Sequence, residues 1–121
     1  MISIKNPGEI KLMRKAGFIV AETLALMGEL IKPGITTKEL DVAAESFIRK
    51  KGARPLFLGY GGFPATLCVS VNEQVIHGIP GNRELLEGDI VSIDVGAEKD
   101  GWCGDAAKTF PVGKVSPEYL R

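Results

Sequence analysis

Two long stretches in the first half of the chain repeat apolar residues every three or four positions, the pattern of an amphipathic helix. The first stretch follows Asn6-Pro7 and ends at Lys32-Pro33-Gly34, and the second follows Thr36 and ends at Gly52. Asn6 and Thr36 are suitable N-caps, and each has a Glu three residues later that completes a capping box. The apolar positions are Ile10, Met13, Gly17, Val20, Leu24, Met27 and Ile31 in the first stretch, and Leu40, Ala43, Ala44, Phe47 and Ile48 in the second. The sequence therefore predicts two helices, each with one buried face.

The second half of the chain changes to a period of two, which predicts β-strands. Residues 65–71 alternate in this way, and residues 74–80 predict a short strand that runs into a Gly/Pro-rich bend. Two longer runs within residues 88–113 are joined by Asp100-Gly101. Asp-Gly between two such runs is a strong signal of a β-hairpin, because a type I′ turn needs positive φ at both central residues.

A two-residue turn fixes the register of this hairpin. It places Lys99 opposite Trp102, Gly96 opposite Asp105, and Asp94 opposite Ala107. One face of the hairpin then carries mainly apolar side chains, which are Val91, Ile93, Val95, Ala97, Trp102, Ala106 and Phe110. This face needs a cover, and the two amphipathic helices can provide it. The predicted fold is therefore α+β, an antiparallel sheet with two long helices on one face.

The opposite face of the hairpin carries Asp94 and Asp105 as diagonal cross-strand neighbours, roughly 7–8 Å apart. Asp is a poor strand residue, yet both lie within otherwise strongly β-prone runs. A solvated face or a pair of turn-flanking aspartates would tolerate them, and a bound cation would remove their mutual repulsion. The spacing alone leaves the metal site and these two alternatives open.

Composition and charge narrow the class of protein. The chain has 121 residues, enough for one domain with a core of its own. Its 15 Lys and Arg balance its 15 Asp and Glu, so no net charge attracts nucleic acid or an anionic membrane. The sequence contains no apolar run long enough for a bilayer and no signal peptide. Cys68 and Cys103 are expected to be reduced thiols of a cytoplasmic protein.

Three further stretches of the chain are informative. Residues 55–64 are rich in glycine and aromatic residues, so this loop either folds onto the core, the commoner case, or lines a pocket. His77 is the only histidine, and a lone histidine is more often structural than catalytic, but its position at a strand end favours a rim. Ser116-Pro117-Glu118 is typical of a helix start, and the chain stops at Arg121. We therefore expect a polypeptide that has been cut short.

Taken together, these motifs resemble those of the methionine aminopeptidases. The sequences IDV at 93–95, DGWCGD at 100–105 and KTF at 108–110 are similar to the first metal-binding hairpin of that family. VSVNE at 69–73 with HGIP at 77–80 resembles the signature of the type I enzymes, and YGGFP at 60–64 resembles their substrate-pocket loop. The lack of an extension before the first helix is similar to the bacterial subclass. Gly61 and Cys103 differ, since the family usually carries His at both positions.

The resemblance implies a pita-bread fold of two pseudo-symmetric halves, with residues 1–121 as the N-terminal half. It implies two divalent ions, which could be Co, Mn, Fe or Zn, with Asp94 chelating one and Asp105 bridging both. The other ligands, one His and two Glu, would belong to the second half. His77 would lie beside the scissile amide, to hold the substrate and stabilise the transition state. The methionine pocket would be lined by Phe57, Tyr60, Phe63 and Cys68.

The function implied by the resemblance is removal of N-terminal Met from newly made polypeptides by a metal-activated water. The partners would be polypeptide N-termini and, through nascent chains, the ribosome. The alternative is a non-catalytic pita-bread module that binds protein or peptide, and half a metal site keeps that alternative relevant for this chain. We expect the 121-residue chain by itself to be catalytically inert and to self-associate through an unpaired sheet edge.

Overall fold

The computed structural model of the chain describes residues 7–72 and 78–113. Two helices come first, α1 over Pro7–Leu30 and α2 over Thr37–Lys50. The strands are β1 over Arg54–Pro55, β2 over Leu67–Val71, β3 over Ile90–Lys99 and β4 over Trp102–Pro111. A 3-10 turn over Tyr60–Gly62 lies between β1 and β2. The N-cap predicted at Asn6, most of the strand predicted at 74–80 and the helix start predicted at Ser116 lie outside the described residues.

Local sequence signals set the ends of both helices. The Thr36 hydroxyl accepts a hydrogen bond from the Glu39 backbone N–H at 3.1 Å, and the Glu39 carboxylate accepts one from the Thr36 N–H at 3.3 Å. This reciprocal pair confirms the capping box predicted for α2. Gly52 follows α2 with a φ of 73°, which suits a residue without a Cβ.

The central strand of the sheet is β3. It pairs antiparallel with β4 along its whole length, and its other edge pairs with β2 and then β1. The observed register places Lys99 opposite Trp102 and Gly96 opposite Asp105, as predicted. Asp100 and Gly101 have φ values of 53° and 84°. These positive values are the ones that a type I′ turn requires, so the turn chemistry sets the register of the whole hairpin.

Both helices pack on one face of the sheet, which confirms the α+β arrangement. The core consists of fully buried side chains from both layers, among them Val20 and Met27 of α1, Leu40 and Ile48 of α2, and Val91, Ile93 and Val95 of β3. Burial of these apolar side chains is the main force that holds the helices on the sheet.

Two details of the predicted packing are wrong. Ala106 is exposed and Trp102 is only half-buried, because β4 is the outer strand of the described sheet and α1 covers only part of it. Ile10 and Met13 are 40% and 39% exposed, so the first turns of α1 are not part of the core. The amphipathic pattern identifies the buried side of a helix but not the point at which its neighbour begins.

Candidate active site

The sheet face opposite the helices is the open face, and we define it by Cys68, Ser92, Asp94, Asp105 and Thr109. Strand pairing places Cys68 of β2 directly opposite Asp94 of β3. The hydroxyls of Ser92 and Thr109 lie 3.0 Å apart, within hydrogen-bonding distance. Three strands therefore contribute polar side chains to this face of the sheet.

Asp94 and Asp105 are both exposed on the open face, and the pairing of Gly96 with Asp105 confirms that they are diagonal neighbours. Within residues 7–72 and 78–113, neither carboxylate takes part in an ion pair or a hydrogen bond. Two like charges at this spacing repel each other, since no cationic side chain of the described chain neutralises them. The pair therefore fits a divalent cation, for which carboxylate oxygens are suitable ligands.

The described chain supplies only part of a metal shell. Among its described residues, no three His, Cys, Asp or Glu side chains come close enough together to hold a metal ion. Divalent transition metals take at least four ligands, so two carboxylates need partners from elsewhere. The donor chemistry fits a shared metal centre to which this hairpin contributes one side.

Cys68 lies beside the carboxylates with its side chain half-buried. Burial raises the pKa of the Cys68 thiol, and the nearby charge of Asp94 raises it further. A thiol with a raised pKa remains protonated at neutral pH and behaves as a small, polarizable apolar group. The second cysteine, Cys103, is exposed, and its thiol donates a weak hydrogen bond to the Glu98 carboxylate at 3.9 Å.

The aromatic loop between β1 and β2 closes on itself through backbone hydrogen bonds. The Gly59 N–H donates to the Phe63 carbonyl at 2.8 Å, and the Tyr60 N–H donates to the Phe57 carbonyl at 3.0 Å. Phe57 and Phe63 are half-buried, whereas Tyr60 is 80% exposed. Gly61 has a φ of 57°, a conformation that favours glycine. The loop therefore presents aromatic surface at the edge of the sheet.

His77 lies outside the described residues, but the positions that flank its segment are anchored. Asn72 is held at the end of β2, because its side-chain amide donates to the Asp89 carboxylate at 3.0 Å and its oxygen accepts from the Ile90 N–H at 2.9 Å. The Gly78 carbonyl accepts a hydrogen bond from the Val69 N–H at 2.6 Å. The residue immediately after His77 thus lies alongside β2.

Two acids that anchor backbone N–H groups, the half-buried Asp41 and the buried Asp89, carry no signal that sequence reasoning detected. The Asp41 carboxylate accepts hydrogen bonds from the backbone N–H groups of Thr66 and Leu67, at 2.9 and 2.7 Å. These bonds attach the end of the aromatic loop to α2, and burial raises the pKa of Asp41. Asp89 is 9% exposed and also accepts from the Leu86 N–H at 2.8 Å. In the sequence both look like ordinary acids of a helix and a turn.

None of the helices in the described part of the chain has the length and apolar character needed to cross a membrane.

Comparison with known proteins identifies relatives of the whole chain. The family model of metallopeptidase family M24 matches residues 11–121. A methionine aminopeptidase of Clostridium perfringens is 61% identical over 118 residues, which are 98% of this chain and 47% of that protein. The chain spans about half the length of the curated relatives it matches.

Solved structures give the same result for the fold. Methionine aminopeptidase from Rickettsia prowazekii superposes with a TM-score of 0.94 and 41% identity, over 100% of this chain and 49% of that one. The methionine aminopeptidase from Thermotoga maritima has a TM-score of 0.89 and 45% identity, over 96% of this chain and 47% of that one. These neighbours confirm the pita-bread fold class that the motifs implied. The chain belongs to metallopeptidase family M24.

Proposed function

We propose that the complete protein is a methionine aminopeptidase, a metal-dependent exopeptidase that removes N-terminal Met from newly made polypeptides, and that residues 1–121 form the N-terminal half of its catalytic domain. The observation that supports this most strongly is the exposed pair Asp94 and Asp105, which one hairpin register brings together without any neutralising partner in the described chain. The similarity to methionine aminopeptidases over 98% of the chain supports the choice of reaction.

In this proposal Asp94 and Asp105 would hold two divalent ions, with Asp94 a ligand of one ion and Asp105 a ligand of both. The ions would be Co, Mn, Fe or Zn, since carboxylate ligands admit each of them. The chemistry that such ions supply is polarisation of the scissile carbonyl and activation of a water nucleophile. The remaining ligands, one His and two Glu, would come from the other half of the domain.

The substrate side chain would bind against Phe57, Phe63 and Cys68, with the exposed Tyr60 at the mouth of the pocket. Aromatic rings and a protonated thiol are suitable neighbours for a flexible thioether. The support for this assignment is that Cys68 is half-buried directly opposite Asp94, so a side chain near Cys68 brings its own backbone near the carboxylates. His77 would hold the scissile amide and stabilise the transition state.

The test uses the complete protein and a peptide with N-terminal Met and a small second residue. We expect no Met release after chelation and restored release when Mn²⁺ or Co²⁺ is added back, because the proposed reaction needs bound ions to polarise the carbonyl and to activate the water. The separate 121-residue chain should release no Met under the same conditions, because Asp94 and Asp105 are only two of the four or more ligands that a divalent transition metal takes. Release that is equally fast without metal would contradict the proposed function.

A second candidate, a non-catalytic pita-bread module that binds protein or peptide, is favoured by one observation. The described residues hold no complete group of metal ligands. Peptide binding by the complete protein without any metal-dependent release would support this candidate. The proposed cellular setting is the same for both candidates, namely the cytoplasm, with ribosomes as the source of nascent chains.

Self-association of the separate chain is proposed because β4 is ten residues long and is the outer strand of the described sheet. Unpaired edges of this length can pair with the same edge of another copy. Light scattering over a dilution series should show a dimer that dissociates on dilution. A monomer at every concentration would contradict self-association and leave the enzymatic proposal intact.

A further inference from the structure

Gly96 occupies an unusual place in the middle of β3. It faces the open side two residues after Asp94 and pairs directly with Asp105 of β4. A glycine within a strand has no side chain to pack and normally weakens the sheet, so it often marks the close approach of another group. Gly96 is buried although Asp94 and Asp105 beside it are exposed, which shows that something covers it.

The cover comes from the residues that follow β1. The Leu56 N–H donates a hydrogen bond to the Gly96 carbonyl at 3.0 Å, which continues the β1–β3 pairing by one residue. A methyl group on Gly96 would lie 3.0 Å from both Cβ and Cδ2 of Leu56 and 3.3 Å from Cε1 of Phe57. The Leu56 Cβ is fixed close to the backbone, so it cannot move aside without a shift of the chain.

This contact places the Phe57 ring near the strand position that pairs with Asp105. Gly96 adds no side chain there, and a methyl group on it would come within 3.3 Å of Cε1 of the Phe57 ring. The absence of a Cβ at Gly96 therefore lets the ring lie close to β3 beside the carboxylate-bearing positions. In the proposed function, Phe57 lines the pocket for the N-terminal side chain.

We propose that Gly96 is a positioning residue that sets the depth of the N-terminal side-chain pocket by seating Phe57 against the sheet beside Asp94 and Asp105. This inference rests on the proposed function. A methyl group at Gly96 would push the ring toward the pocket and would itself occupy part of the space. Long N-terminal side chains should lose more than short ones, and metal binding should be unaffected.

The experiment compares Gly96→Ala with the wild type in the complete protein, using two peptides that differ only in N-terminal Met or the shorter norvaline. Overpacking of this kind costs enough for a change of about tenfold or more. We expect KM for the Met peptide to rise about tenfold with a kcat change below about threefold, and the Met-to-norvaline ratio of kcat/KM to fall about tenfold. Metal content should stay equal. The matched control is Gly17→Ala, where a methyl group meets nothing within 4 Å.

The outcomes separate this inference from the function on which it rests. A wild-type protein that releases no Met would overturn the proposed function and this inference with it. An active wild type with an unchanged KM and an unchanged Met-to-norvaline ratio in Gly96→Ala, or an equal loss for both peptides, would overturn this inference alone.

If Gly96→Ala does not fold, the double variant Leu56→Gly/Gly96→Ala removes the Leu56 atoms in contact and keeps the methyl group near Phe57. That variant should still show a lowered Met-to-norvaline ratio, and an unchanged ratio would overturn the inference.

Discussion

The two faces of β3 share one backbone but differ in burial, in polarity and in what packs against them. Ile93 points into the core and is fully buried, whereas its neighbour Asp94 points to the open face and is exposed. The inner face is held against α1 and α2 by apolar burial, which is the largest favourable term in folding. On the open face, Asp94 and Asp105 are left exposed, and Leu56 and Phe57 cover Gly96.

This difference shows which residues need a functional explanation. Ile93 is explained by packing alone. Asp94 and Asp105 lower the intrinsic strand preference of their runs, repel each other and gain no bond from the described chain, so folding offers no reason for them. Residues that disfavour the local structure without compensation mark the sites where function overrides stability. Four changes test this division, from the largest expected effect to the smallest.

Asp94→Asn should reduce metal-dependent Met release in the complete protein by more than about 10²-fold, since even outer-shell changes at metal sites cost about that much. The free energy of unfolding of the chelated protein should not fall, because Asp94 makes no hydrogen bond or ion pair within the described chain and the change removes its repulsion from Asp105. Kinetics at saturating metal and chemical denaturation measure the two quantities. The control is Asp100→Asn in the turn, which type I′ geometry tolerates. Full activity of Asp94→Asn would remove Asp94 from the metal site.

Ile93→Ala, one residue away, should have the opposite profile. Truncation of a fully buried aliphatic side chain costs about 2–5 kcal/mol of unfolding free energy, through lost burial and the cavity that remains. Denaturant titration measures it, with Val42→Ala as the control, because Val42 is 60% exposed. A loss below about 1 kcal/mol would mean that the inner face is not the core that its burial indicates.

His77→Ala tests the proposed role of the only histidine. In the complete protein we expect kcat to fall by roughly 10²-fold if His77 acts mainly in the transition state. Bound metal, measured by elemental analysis, should not change. Loss of metal with normal turnover per remaining metal would instead identify His77 as a ligand.

The smallest effect concerns Asp41, whose carboxylate holds the start of β2. Because burial raises its pKa above the ordinary value of 3.8, the folded protein binds this proton more readily than the unfolded chain. The contribution of Asp41 to the free energy of unfolding therefore falls as the pH rises from the ordinary pKa of 3.8 to the raised pKa of the folded state, and it is constant at higher pH. Asp41→Asn keeps an oxygen to accept the two N–H bonds and removes the charge.

Unfolding free energies of Asp41→Asn and wild type, measured in parallel across this acidic range, give the test. The difference between variant and wild type should shift in favour of the variant as the pH rises through the window, and then level off. A difference that is flat, or that shifts toward the wild type, would contradict a raised pKa in the folded state.

Strong local signals made much of this fold predictable. Thr36 and Glu39 cap a helix through atoms three residues apart, and Asp100-Gly101 fixes a ten-residue register through two φ angles. Because side chains alternate along a strand, that register alone assigned Asp94 and Asp105 to one face. The family resemblance added the interpretations that the residues alone left open. These are that the two carboxylates bind metal and that His77 and the aromatic loop contact the substrate, and both stay predictions.

The contacts that join distant segments were not predictable from local pattern. Asp41 meets Thr66 and Leu67 across 25 and 26 residues, and Leu56 meets Gly96 across forty. No local property of an acid in a helix or a glycine in a strand specifies such a partner. The exposure of Ala106 likewise depends on how far α1 extends over β4.

The sequence by itself determined the helices, the hairpin register and the face that carries the two carboxylates, because each depends on interactions among residues close in the chain or on the two-residue period of a strand. Only the tertiary structure decided what covers Gly96, how the aromatic loop is anchored and how much of each amphipathic face is buried. Those features depend on side-chain shape and on which segments meet, and close packing fixes both only when the whole chain has folded.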